Sequence, residues 1–380
     1  MRAHPMMMRS TGRCAFCRPR AARARGAALI TALLVTTLAA VLVSGLLWRQ
    51  QVEIRRVENQ REAAQARWVS RGVFDWARLI LRTQADALPV TYLGGAWSVP
   101  IAPTRLSDFL GKIGIARAEQ GASTWLSGGV VDAQSRFNLR NLVNSKPATG
   151  LQVNPQAQMQ FQKLLSLLGL SSDLAPPAAQ YVLTTLLSSV TKGQQAQTGD
   201  VASDALAAAQ SDGDAVSRES GLTNTPGMSA GDVATQMTRP IQLHDVDDLV
   251  AVPGFTPAVI ARLRPFVTIL PVPTQINLNT AGPEVIAAAL PALSLTAAQA
   301  MITTRDQAFF INLGDAQTRL ARFMTTGETL DGQFFDVTTH YFEIHARITH
   351  ERAVVDRVAL VYRDPRTHST PIIRVQDARQ

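Results

Sequence analysis

A few groups of residues in this 380-residue chain have the types and spacing that chemistry uses. Asp212-Gly213-Asp214 sets two carboxylates two residues apart in a stretch rich in Gly, Ala, Ser and Thr. A hard cation such as calcium, which gathers about six to eight oxygens, suits such a loop. Glu219 and Asp232 are further oxygen donors nearby. Cys14 and Cys17 form a C-x-x-C, which serves redox chemistry in a strand-to-helix setting, or zinc beside two more ligands. Neither context is present, and these are the only two cysteines. His340, His345 and His350 recur every five residues. On a strand that spacing alternates faces, so they do not make one ligand cluster. Val252-Pro253-Gly254-Phe255 between two helical stretches has helix-hairpin-helix form, in which backbone N–H groups meet phosphates beside Lys or Arg. Only Arg262 and Arg264 are basic between Asp245 and Pro271, against Asp245, Asp247 and Asp248. The chain has no G-x-S-x-G, H-E-x-x-H or P-loop motif. Asn277 and Asn279 fit turn residues that bond their own backbone.

The elements that must position these residues begin with a basic leader. Residues 1–26 hold seven arginines and no acidic residue. Removing those seven from the 37 basic residues leaves 30 against 29 acidic ones. Seven of the eight net positive charges therefore belong to the leader, and the rest lacks the footprint of a nucleic-acid binder. Ala27–Trp48 follows, 22 residues without a charge, roughly 33 Å as a helix and enough to span a bilayer. The arginines ahead of it place the N-terminus in the cytoplasm and the bulk of the chain outside. Leu47-Trp48-Arg49 is a poor signal-peptidase site, which favours an uncleaved single-pass anchor. Beyond it Ala66, Val69, Val73, Trp76 and Ile80 recur at steps of three and four, one apolar stripe on a helix that continues to about Thr83.

Arg25-Gly26-Ala27-Ala28-Leu29 resembles a type IV prepilin processing site. The resemblance implies cleavage after Gly26 by a prepilin peptidase and N-methylation of Ala27. Most pilins carry Glu at the fifth mature position, and here that residue is Thr31. A carboxylate in lipid is costly unless paired. In pilins it is thought to pair with the N-terminal amine of the subunit ahead, so a subunit with nothing ahead loses nothing without it. That exception resembles the minor pseudopilin K family of type II secretion, whose members cap the pseudopilus tip. Asp132–Leu139 resembles that family's D-x-x-G-x-F/I-N-L-N segment, with Ser135 for Gly and Arg140 for the last Asn. Leu249–Phe255 and Leu263–Pro271 followed by Ile276-Asn277-Leu278-Asn279-Thr280 resemble two more of its segments. The family's D-x-D calcium motif is similar to Asp212-Gly213-Asp214 and Gly221, although Leu222-Thr223-Asn224 stands where acidic residues are expected.

The resemblance implies an α+β, type IV pilin-like fold: a long N-terminal helix on an antiparallel sheet, with a large inserted helical domain. The expected divisions are a leader at 1–26, the transmembrane and amphipathic helix at 27–85 and a first pilin part at 86–147. An inserted domain at 148–271, a second pilin part at 272–365 and a tail at 366–380 complete them. Leu126–Leu139 alternates as a hairpin would, and Phe334–Thr349 with Arg352–Arg363 reads as a closing hairpin. Helices are predicted at Ala157–Leu170, Ala178–Val190, Val201–Gln210, Asp245–Ala251, Thr256–Leu263, Pro283–Leu290, Thr296–Arg305 and Leu313–Met324. Implied partners are pseudopilins I and J through the stripe Ala66, Val69, Val73, Trp76 and Ile80, together with H and the major pseudopilin. The prepilin peptidase, the inner-membrane assembly platform, and secreted cargo or the outer-membrane secretin complete the set, without nucleic acid. The expected work is assembly and export, without catalysis. A membrane-anchored competence protein binding DNA through Gly254, or an anchored periplasmic enzyme, are the alternatives.

Overall fold

The computed structural model describes residues 24–112, 114, 121–146, 150–189, 243–325 and 329–378. The chain divides into two units, Met1–Ala64 and Gln65–Gln380. Helix α1, Ala24–Ala87, begins in the first and ends in the second. In the first unit its apolar residues stand bare: Leu29, Ile30, Leu33, Leu34, Val35 and Leu38 are all exposed. Their best 18-residue window has a mean hydropathy of 2.3, and this is the one helix among the described residues long and apolar enough to cross a membrane.

In the second unit five strands form one antiparallel sheet. β1 is Ile101–Arg105, followed by helix α2, Leu106–Lys112. β2 is Thr124–Asp132. The order runs β1, β2, then three C-terminal strands: β9 (Tyr341–His350), β10 (Ala353–Tyr362) and β11 (Ile372–Asp377). α1 lies on this sheet. Ala66, Val73, Phe74, Ala77 and Leu81 pack with Trp97, Leu126, Phe342, Ile344, Ala346 and Ile348 in one core. Alternate residues of β2 and β9 supply that core, as the two-residue strand period requires. Gly128 faces Ala346 in the register, and a Cβ there would meet the His345 carbonyl oxygen at 2.1 Å. Only glycine lets β2 and β9 close at that point.

Between β2 and β9 the chain builds a second body. β3 (Phe137–Asn138) pairs in parallel with β6 (Val267–Thr268), and β4 (Val143–Lys146) with β5 (Gly150–Val153) in antiparallel. Helices follow: α3 (Pro155–Leu167), α4 (175–189), α5 (Pro257–Leu263), α6 (Pro283–Ala289), α7 (Leu295–Gln307) and α8 (Leu313–Leu320). A last pair, β7 (Ile276–Asn277) and β8 (Phe335–Asp336), is parallel. The helix starts obey capping chemistry. Asn154, Thr256, Ser294 and Asn312 each accept a backbone N–H of the first turn, and Pro155 and Pro257 sit at first helical positions.

Several expectations are corrected. Leu126–Leu139 forms no hairpin: β2 ends at Asp132, which accepts the Gln134 N–H at 2.7 Å and turns the chain into the helical body, where β3 pairs with β6 instead. The segment expected as a tail holds a strand, since Ile372–Asp377 pairs along β10 as the sheet's edge. The closing hairpin turns one residue later, at Glu351, whose φ is +50°. The helical body does not end at Pro271. One core holds residues from Phe137 to Val182 together with residues from Leu243 to Val337. Lys163 on α3 donates to the carbonyls of Leu290, Pro291 and Leu293 at 2.7–3.0 Å, tying α3 to the end of α6. The insertion therefore leaves at Asp132 and returns at Tyr341, neighbouring positions of paired strands.

Candidate functional sites on the helix and at the root of the insertion

The stripe Ala66, Val69, Val73, Trp76 and Ile80 is occupied by the chain itself. Ala66 and Val73 are buried in the sheet core, with Val69 and Ile80 packed at its margin, and Trp76 meets Phe109 of α2 edge-on at 5.1 Å. The stripe is thus not a free interface for partner helices. Its amphipathic pattern arises because the sheet needs a lid. The opposite face of the same helix carries what the pattern left over. Trp68 is 68% and Leu79 58% exposed, the Arg71 guanidinium lies 4.8 Å over the Trp68 ring, and nothing comes within 4 Å of a Cβ placed on Gly72. A large exposed aromatic beside a glycine notch is the raw material of helix–helix docking.

At the root of the insertion lies a buried polar knot. The Asp132 carboxylate is almost wholly excluded from water. Its Oδ2 accepts from Thr339 Oγ1 at 2.5 Å, Thr280 Oγ1 at 2.6 Å and Asn277 Nδ2 at 3.0 Å. Asn277 Nδ2 also reaches the Thr91 carbonyl at 3.1 Å. The Arg363 guanidinium donates to Thr91 Oγ1 at 2.6 Å and the Thr339 carbonyl at 2.8 Å. Burial pushes Asp132 up, and the hydroxyl, amide and backbone donors pull it back. Burial likewise lowers Arg363 to about 10, while the nearby Asp132 charge works the other way. A carboxyl and a guanidinium thus stand at the junction of α1, the sheet and the insertion. Asn277 bonds as the turn reading expects, its Oδ1 accepting the Asn279 N–H at 2.9 Å, whereas the Asn279 side chain departs from that reading and bridges to the backbone of Phe310, 31 residues on. Sequence reading placed Asp132, Asn277, Asn279 and Thr280 in motif segments but did not foresee that the segments converge.

Beside the knot, Arg136 Nη2 lies 2.6 Å from Glu343 Oε2, with His345 at 3.6 Å. Burial alone would raise Glu343, but the Arg136 charge and the His345 bond outweigh it and hold the carboxyl at about 2. Its ordinary value is 4.5, so this pairing stabilises the fold above that pH and is lost as pH falls towards 2. The contribution is on the order of 2–3 kcal/mol. The difference in unfolding free energy between wild type and Glu343→Gln is expected to shrink by that amount on titration from neutral pH to pH 2–3. A gap that stays constant would show that the carboxylate is not held by Arg136.

The remaining sequence candidates stand apart. Gly254 has φ +90°, and a Cβ there would meet Leu174 at 2.6 Å. The hairpin glycine is needed for the close approach of α5's leading turn to the helical core. Arg264 is paired with Asp247. His350 bonds Thr124 and Gln65, and His345 bonds Glu343, so the histidines serve separate contacts. No group of three metal-ligating side chains occurs among the described residues. Asp212, Asp214, Glu219 and Asp232 lie outside the described residues, as does the helix expected at Val201–Gln210. Thr31 lies in the bare part of α1. Gly26 and Ala27 fall within its helical backbone.

Comparison with known proteins places these features in a family. A family model for "Type II secretion system (T2SS), protein K" matches residues 135–272, and a second of the same description matches 276–329. The type II secretion system protein K of Pseudomonas aeruginosa is 26% identical over 330 residues, covering 85% of this chain and 84% of the relative. That of Klebsiella pneumoniae is 27% identical over 294 residues, covering 74% and 76%. The fold is similar to a chain in the crystal structure of the GspK-GspI-GspJ complex of enterotoxigenic Escherichia coli, with TM-score 0.56 and 18% identity. That likeness covers 86% of this chain and all of the other.

Proposed function

The chain belongs to the type II secretion system protein K family, and from that premise we propose that it works as the minor pseudopilin at the tip of the pseudopilus. It is made with residues 1–26 as a leader, held in the inner membrane by α1 with its N-terminus in the cytoplasm, and cut after Gly26. The periplasmic body then joins pseudopilins I and J, helps start assembly, and assists the export of folded proteins across the outer membrane. Pseudopilin H, the major pseudopilin and the assembly platform are met in turn, and the insertion faces the secretin or its cargo. The work is binding and mechanical, without chemistry by this chain.

One observation carries this reading. A single helix, Ala24–Ala87, offers bare apolar surface at its start and, within the second unit, one face sealed by the chain's own sheet and another bearing Trp68 and Leu79. A subunit built to dock through its helix needs that combination. The Trp68 face therefore replaces the Ala66–Ile80 stripe as the surface offered to I and J. Calcium at Asp212 and Asp214 stays a proposal of the same reading, resting on the D-x-D spacing. Mass spectrometry of the chain from membranes containing the prepilin peptidase is expected to find Ala27 as the N-terminal residue, N-methylated. An intact leader in those membranes would overturn the prepilin route.

A further inference from the structure

A cleft of about 400 Å3 opens between the helical body and the sheet, away from the Trp68 face. Val182, Leu186, Ile269, Leu270 and Leu360 form its walls, and Arg140 and Arg374 stand in it. Such a volume is ordinary for a small-ligand site. Neither guanidinium has a carboxylate partner among the described residues. Among the described residues Arg140 reaches only the Val143 carbonyl, at 3.4 Å, and its Nε is buried with no partner there. Arg374 donates to the His244 carbonyl. Partial burial lowers the pKa of Arg140, the direction expected of a cation partly withdrawn from water without a counter-ion. A half-buried guanidinium with a buried, unspent donor in an apolar cleft gains from an anion that meets it.

We propose that this cleft binds an alkyl carboxylate, with Arg140 and Arg374 taking the carboxylate and the apolar walls taking the chain. An alkyl chain suits the walls better than a peptide end does. The walls have few free polar atoms: Thr185 Oγ1 is spent on the Val182 carbonyl at 2.8 Å, and the His244 carbonyl on Arg374. Peptide amides would go unpaired there, whereas a hydrocarbon needs no partner.

The test uses the full chain in lipid nanodiscs and decanoic acid bearing a terminal photoreactive diazirine, with labelled peptides mapped by mass spectrometry. Label is expected on peptides containing Leu186, Ile269 or Leu360, displaced by plain decanoate. Arg140→Asn is expected to reduce it at least tenfold, and the decanol analogue to label at least tenfold less. Should Arg140→Asn shift the melting temperature, Arg374→Gln serves as the second variant, with the same loss expected. Equal labelling by the decanol analogue, unchanged labelling in a folded variant, or label confined to residues 27–48 would overturn the proposal. Displacement by N-acetyl-leucyl-leucine as effective as by decanoate would overturn it in favour of a polypeptide chain end.

Discussion

Asp132→Ala is expected to cost the folded chain about 3–5 kcal/mol, the range seen when one member of a buried charged network is removed. The loss has identifiable parts. The hydroxyls of Thr280 and Thr339 and the N–H of Gln134 lose their acceptor. Arg363 stays buried without the negative charge that favours its ionised form. The turn that sends the chain from β2 into the insertion loses its anchor as well. Asp132→Asn keeps the shape and one acceptor oxygen, so it should lie between alanine and wild type. Thermal melting of the full chain should show a fall of roughly 5–10 °C for the alanine variant. A fall within the range of an ordinary surface substitution would show that the knot does not hold the insertion to the sheet.

Thr31→Glu is expected to abolish most of the function even though it restores the residue that pilins commonly carry. The bare part of α1 offers Thr31 no cationic side chain, since Ala27–Trp48 contains none, and the amine of Ala27 is covalently fixed one helical turn away on the same helix. A carboxylate there costs up to about 3 kcal/mol in the bilayer unless an amine meets it. For a tip subunit no amine lies ahead, so the cost is uncompensated, and it equals roughly a hundredfold in any equilibrium that requires insertion or assembly. Secretion of a reporter exported by the system, in a strain lacking the chromosomal gene, should fall at least tenfold with Thr31→Glu and hold with Thr31→Val. Normal or improved secretion with Thr31→Glu would place another subunit ahead of this one.

The sequence made some of this legible and hid the rest for physical reasons. α1 could be read because an uncharged run and a three-and-four spacing each reflect a single physical demand, lipid at one end and a core at the other. The helices of the insertion could be read because Asn154, Thr256, Ser294 and Asn312 announce their starts. The stripe was visible, but what covers it was not: spacing reports that a face is apolar and says nothing of whether the cover is the chain's own sheet or another subunit. β11 escaped because an edge strand is paired on one side only. Ile372-Ile373-Arg374-Val375-Gln376-Asp377 therefore mixes exposed and half-buried residues without a clear alternation of type. The end of the insertion was misplaced at Pro271 because a proline marks a local break, whereas the body is held by contacts such as Lys163 to Leu290 that no local pattern foretells. The knot was unreadable for the same reason: Asp132 and Asn277 lie 145 residues apart.

On the proposed function, this chain joins its fellow pseudopilins through the outer face of α1, while the inner face serves its own sheet. In-cell photocrosslinking with benzoylphenylalanine at positions 68, 79 and 73 tests this most directly, with the other pseudopilins present. Positions 68 and 79, now the exposed Trp68 and Leu79, should give adducts with pseudopilin I or J. Position 73, now the buried Val73, should give only products within the chain. Adducts with pseudopilins at position 73 and none at positions 68 and 79 would contradict the account.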